Sequence, residues 1–205
     1  MKNNLKVNAL WLALILFGYL LLTVLASTGI LNPFYLQIFE QIGINIILAV
    51  GLNLIVGFSG QFSLGHAGFM AIGAYAVAIM GSKSPTYGAF FIAMLIGAVL
   101  AGAVALLVGI PTLRLKGDYL AIATLGVSEI IRILIVNGGE LTNGAAGILS
   151  IPPFTSWQLV YAFVVITTIL TLNFLRSPIG RSTLSVREDE IAAESVGVNT
   201  TKIKV

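Results

Sequence analysis

The chain has 205 residues, 58% of them hydrophobic and only 9% charged, with a mean hydropathy of +1.01. A soluble domain carries about 25% charged residues, so a water-soluble globule is excluded and a membrane protein is implied. The net charge of +3, from 11 basic and 8 acidic side chains, is too small and too scattered for a nucleic-acid surface. Cysteine is absent and His66 is the single histidine, which excludes a disulfide framework, a thiol nucleophile and a histidine cluster for a metal.

Apolar stretches of about 20 residues cross a bilayer as helices, and six are found, near 9–28, 34–56, 62–80, 86–110, 118–136 and 157–175. Their continuous apolar runs, without inside–outside alternation, predict an all-α polytopic transmembrane bundle rather than a β-barrel. Lys2 and Lys6 precede the first stretch, which is longer than the roughly 7–15 apolar residues of a cleaved signal, so an uncleaved first helix is expected. Basic residues lie preferentially on the cytoplasmic side. With the N-terminus inside, nine fall there: Lys2, Lys6, Arg114, Lys116, Arg176, Arg181, Arg187, Lys202 and Lys204. Lys83 alone falls outside, and Arg132 lies within the fifth span. Residues 1–175 are thus read as the transmembrane region and 176–205 as a cytoplasmic segment.

Between the second and third spans, Gly51–Gly68 mixes glycines with Asn53, Ser59, Gln61, Ser63 and His66. Glycine-rich breaks at membrane depth are tolerated against protein or a water-filled cavity, and broken helices often line the substrate path of transporters. A tight turn that lets two helices pack is the other reading. Gly57-Phe-Ser59-Gly60 also matches the G-x-S-G of rhomboid intramembrane serine proteases. That chemistry needs a histidine base within reach of the serine, and His66, seven residues on, is the one candidate. His66 is otherwise read as a hydrogen-bonding residue holding the turn or the helix start.

The fourth span places small residues every four positions, at Ala89, Ala93, Gly97, Ala101, Ala105 and Gly109, which predicts a close helix–helix contact. In the fifth, Glu129 and Arg132 share a face. Glu129 stands 11 residues past Asp118, about 16 Å along the helix and near the bilayer midplane. Ionisable groups at that depth are paired or face a polar interior, so a structural ion pair and a substrate contact are the two readings. Asn137–Pro153, rich in glycine and asparagine, predicts an external loop of turns.

After the sixth span, Ser185 to Gly197 reads as one short helix. Ser185 and Glu188 supply a capping box, Glu188, Asp189 and Glu190 suit the helix N-terminus, and Gly197 supplies a stop. Ile191, Ala192 and Val196 form a narrow apolar face suited to a groove on another protein. Its acidity, with Glu194 added, argues against a helix lying on the membrane, where lysine and arginine are favoured.

Four blocks together resemble the permease subunits of bacterial ABC importers for branched-chain amino acids, and most closely their M-type leucine/isoleucine/valine branch. They are Gly51–Tyr75 with its Gly-Gln-Phe-Ser-Leu-Gly-His-Ala-Gly centre, Arg114–Gly126 continuing to Glu129-Ile-Ile-Arg132, Leu141–Gly147, and Arg187–Glu194 with Gly197. The resemblance implies a bacterial inner-membrane subunit that moves hydrophobic amino acids inward. Its implied partners are a second permease, cytoplasmic ATP-binding subunits, an extracytoplasmic amino-acid-binding protein and the surrounding lipid. No cofactor, metal or nucleic acid is implied, and the chain carries no phosphate-binding G-x-x-x-x-G-K-[ST] of its own. A permease for urea or another small solute is the neighbouring reading. The coupling element that docks on the ATPase would comprise Ser185, Glu188, Glu190, Ile191, Ala192, Ala193, Glu194 and Gly197. Asn53, Ser59, Gln61, Ser63, His66, Glu129 and Arg132 would line the substrate path. The broader permease pattern is Glu-Ala-Ala-x-x-x-Gly, and here Ile191 stands in the glutamate position, one residue after Glu190. Family members continue through further spans, so an N-terminal part of such a permease is expected.

Overall fold

The computed structural model describes residues 2–29, 31–112, 115, 117–149 and 151–204. Arg114 and Lys116, two of the basic residues in the orientation argument, lie outside the described residues. All regular structure among the described residues is helical. The long helices are α1 (Lys2–Ser27), α2 (Pro33–Asn53), α3 (His66–Lys83), α4 (Tyr87–Thr112), α5 (Asp118–Val136) and α6 (Trp157–Arg176). Three short ones follow: α7 (Pro178–Glu188), α8 (Glu190–Ser195) and α9 (Thr200–Lys204).

Five of the described segments are long and apolar enough to cross a membrane: Leu10–Ser27, Pro33–Phe58, Tyr87–Thr112, Asp118–Val136 and Trp157–Arg176. The third expected stretch, 62–80, becomes α3 only from His66 onward, and its 18 residues do not join them. His66 at one end and Ser82 and Lys83 at the other dilute its apolar character, and residues 62–65 stay non-helical.

The chain divides into two compact units. One holds α1, α2 as far as Gly51, and Thr155–Asn173, which includes α6 from Trp157 to Asn173. Within it the Tyr161 hydroxyl donates to the Ile15 carbonyl at 2.8 Å, above Gly18, where a Cβ would lie 2.9 Å from the same hydroxyl. Tyr161 and Trp157 both pack on Tyr19, with ring centroids 5.8 and 5.6 Å apart. Gly43 is buried because Val160 occupies the space beside its Cα.

The other unit holds Leu52–Phe154 and the chain from Phe174 onward. Its main contact joins α3 to α4 through the small residues the sequence singles out. Ala93 is fully buried, and a Cβ on Gly97 would lie 3.1 Å from the Gly73 Cα and the Ala76 Cβ. The periodic stripe is used only in part: Ala105 is exposed. On its other side α3 meets α5 at Gly65 and Gly68, where a Cβ would approach the Thr124 carbonyl to 2.9 Å and the Ser128 Cα to 2.8 Å. Phe154 closes the far end against Phe90 and Tyr87. Among its described residues the connection after α5 holds two single-turn 3-10 helices, Gly139–Leu141 and Gly144–Ala146, joined by a turn and followed by irregular chain. Asn143 takes a left-handed φ of 57° there, and Thr142 is buried with its hydroxyl on the Ile135 carbonyl at 2.6 Å.

Candidate functional site

The site is built around the end of α2. After Asn53 the helix widens into a π-turn, Leu54–Phe58, with Ser59 N–H donating to the Leu54 carbonyl and Gln61 N–H to the Ile55 carbonyl at 3.2 Å. An α-helix would pair Gln61 N–H with Gly57 O; the widening leaves that carbonyl open. The Asn53 side-chain oxygen lies against Gly57, in the space a Cβ would take. Gly60 then turns the chain with φ +68°, a conformation glycine takes at no steric cost. The chain runs without regular structure until His66 opens α3.

Thr124 of α5 fixes that stretch. Its hydroxyl accepts from Leu64 N–H at 3.0 Å and donates to the Ala121 carbonyl at 3.0 Å. Ser63 accepts weakly from Gly65 N–H at 3.4 Å. The Nε2 atom of His66 is buried and has no hydrogen-bond partner. The sequence expectation is that His66 holds the turn or the helix start by hydrogen bonding; its Nε2 makes no such bond, and the α3 start packs through Gly65 and Gly68 on α5 and is tied by Thr124. No serine–histidine pair forms with Ser59 through this nitrogen, so the geometry offers the protease reading no activated nucleophile.

Ser59 and Gln61 line a cavity of about 270 Å³ whose far wall is Arg187–Glu190 and Lys204. The structure thus gathers two predicted path residues and two predicted coupling residues, Glu188 and Glu190, around one space. Asn53 stands beside Gly57 at the edge of the same break. Glu129 and Arg132 are elsewhere, paired with each other on α5: Nη2 lies 2.5 Å from Oε1 and Nε 2.9 Å from Oε2. Both side chains face away from the chain, 51% and 64% exposed.

The helix expected over Ser185–Gly197 is two helices. Ser177 caps α7, accepting from Gly180 N–H at 3.1 Å, with Pro178 in the first helical position. The Ser-Pro pair is a start signal that places Ser185 and Glu188 in the last turns of α7, not at a new N-terminus. The capping box is corrected accordingly: the Ser185 hydroxyl donates to the Ser182 carbonyl at 2.8 Å. Asp189 breaks the run and caps α8 instead, accepting from Ile191 and Ala192 N–H at 2.9 and 3.0 Å. Gly197 ends α8 as expected, with φ +88°. Gly197 N–H reaches the Glu194 carbonyl at 2.9 Å and Val198 N–H the Ala193 carbonyl at 3.1 Å, which is the Schellman pattern.

Ala193 is 3% exposed, buried against the chain itself. Ile191 and Val196 are each 78% exposed and Ala192 is exposed with them. Glu194 accepts from the Thr200 hydroxyl at 2.6 Å, and Glu190 holds the Lys204 ammonium at 2.5 Å. Sequence reasoning missed three residues that organise this region: Asp189 as the cap, and Arg187 and Lys204 as cavity walls. The Ser177-Pro178 start signal, counted forward three turns, was the cue for the first of these.

Five described segments long and apolar enough to cross a membrane mark a multi-pass membrane protein. The chain belongs to the family described as branched-chain amino acid transport system / permease component, whose model matches residues 34–205. It is 39% identical to the high-affinity branched-chain amino acid transport system permease protein LivM of Escherichia coli, across 67% of this chain and 40% of that protein. The LivM of Salmonella typhimurium is 38% identical over the same shares. The chain therefore spans about two fifths of the length of the curated relatives it matches. No solved structure matches it significantly.

Proposed function

We propose that this chain forms the membrane-spanning translocation part of an ABC importer for branched-chain amino acids in a bacterial inner membrane. Its N-terminus is cytoplasmic, and separate ATPase subunits energise it. A second permease subunit and an extracytoplasmic binding protein complete the assembly. The observation that carries the reading is α8. It is short, acidic, capped at both ends, and presents Ile191 and Val196 to the outside while Ala193 anchors it from within. An exposed apolar pair on a rigid helix beside the α2 break suits insertion into a groove on a partner.

The Glu129–Arg132 pair supports a polar interior. A charged pair at the middle of a span is costly in lipid, and this chain leaves both side chains uncovered. A second permease subunit or a water-filled path would then cover them, and Asn53, Ser59, Gln61, Ser63 and His66 would lie along that path.

Affinity purification of the assembly from solubilised membranes, followed by ATP-driven leucine uptake in proteoliposomes, tests the reading. A Walker-type ATPase should accompany the chain, and excess isoleucine, not urea, should compete. Urea competition would favour the small-solute permease, and absence of any ATPase would refute the importer. Orientation is tested by single cysteines at Asn143 and Lys202: an impermeant maleimide added to intact cells should reach only the first.

A further inference from the structure

The two short helices flanking α8 are fastened to the α2 break at two points. Arg187, the second-last residue of α7, donates from Nη1 to the Gly57 carbonyl at 2.9 Å. That is the carbonyl which the π-turn leaves without its helical partner. The aliphatic stem of Arg187 lies over Gly60: a Cβ there would be 2.6 Å from the Arg187 Cγ and 3.5 Å from its Cα. The rest of the guanidinium is held by Glu188, which accepts from Nε at 3.1 Å and also from Nη2. The second point is Gln61, whose side-chain N–H donates to the Lys204 carbonyl at 3.2 Å. Lys204 in turn pairs with Glu190 at the start of α8.

Arg187 sits two residues before Asp189, the elbow between α7 and α8. A shift of the α7 end that carries the elbow must break the Arg187 bond to Gly57, and a swing of α8 about the elbow must break the Glu190–Lys204 pair. We infer that Arg187 is a positioning residue, a latch that ties the α7–α8 elbow to the broken end of the second span so that the two move as one. The inference rests on the proposed importer only for what drives the elbow; the latch itself is a property of this chain. A bond from a charged donor to an uncommitted main-chain acceptor is among the stronger polar contacts, and here it is the link least replaceable by packing.

The test uses the full assembly in membrane vesicles, with Ser59→Cys as the reporter in a chain that has no cysteine of its own. The rate of labelling by a small hydrophilic maleimide is measured with and without ATP plus vanadate, and ATPase retention is measured alongside. With Arg187 present the rate should differ between the two states. Arg187→Met keeps the stem and removes the donor; it should raise the rate about tenfold, the scale for losing one charge-assisted hydrogen bond, and abolish the nucleotide response while the ATPase is retained. Arg187→Lys should restore part of the response. Arg187→Leu, which also removes the donor and keeps an apolar stem over Gly60, should reproduce Arg187→Met and carries the test if the latter fails to accumulate. A labelling rate and nucleotide response unchanged by both variants overturn the latch. If no ATPase accompanies even the parent assembly, the importer reading fails and the latch is judged on the basal rate alone: about tenfold faster in Arg187→Met supports it, and no change overturns it.

Discussion

Replacing Asp189 by alanine removes the oxygen that accepts from two main-chain N–H groups at 2.9 and 3.0 Å. The helix it caps has only six residues, and isolated helices shorter than about 12–15 residues are marginal in water. α8 therefore depends on its caps, on buried Ala193 and on the Glu190–Lys204 and Glu194–Thr200 contacts. Loss of an N-cap aspartate costs about 0.5–2 kcal/mol. If that loss falls on local opening of α8, its amides should exchange about two- to thirtyfold faster. Hydrogen exchange of residues 190–198 in detergent micelles measures this directly. Asp189→Asn, which keeps an acceptor, should stay near the parent rate. Ser185→Ala is the counter-test, because its hydroxyl serves only the Ser182 carbonyl inside α7 and alanine is the better interior helix former. Acceleration in Ser185→Ala but not in Asp189→Ala would refute the assignment of the cap and restore the capping-box reading.

Gly97→Leu inserts a side chain where a Cβ already meets Gly73 and Ala76 at 3.1 Å; overpacking of this kind should lower stability by about 1–3 kcal/mol, read as a fall in thermal midpoint in detergent. His66→Leu removes a buried Nε2 that has no partner, so stability should hold or rise, and a loss above about 1 kcal/mol would show that the imidazole contributes to the α3 start. Ile191→Asp combined with Val196→Asp changes two side chains that are each 78% exposed; it should leave the thermal midpoint unchanged while abolishing ATPase co-purification. Ala193→Arg, by contrast, forces a charge into a site that is 3% exposed and should destabilise the α7–α9 region itself, seen as faster exchange across residues 178–204.

The hydropathy pattern by itself determined that the chain is helical and crosses a membrane, because satisfying the backbone in lipid leaves no other continuous structure. It marked an apolar stretch within each of the six long helices, and the stop at Gly197, since each of these depends on local composition or on one special φ. That α4 makes a close helix contact was legible for the same reason, since small residues every fourth position allow close approach, but α3 as its partner was not. The breakdown of α2 into a π-turn at Leu54–Phe58 was visible only as a cluster of glycines, which a turn and a broken helix share. The placement of Ser185 was decided by Ser177 and Pro178, eight and seven positions upstream, which set where α7 begins and therefore where it runs out. Tertiary structure alone decided that Ala193 faces inward while Ile191 faces out, because a six-residue helix has no periodicity strong enough to declare its own buried side. It alone brought Arg187 to Gly57 across 130 positions of sequence. An open main-chain carbonyl has no signature in the residue that carries it; it comes into being when the helix around it widens and a donor folds back to meet it.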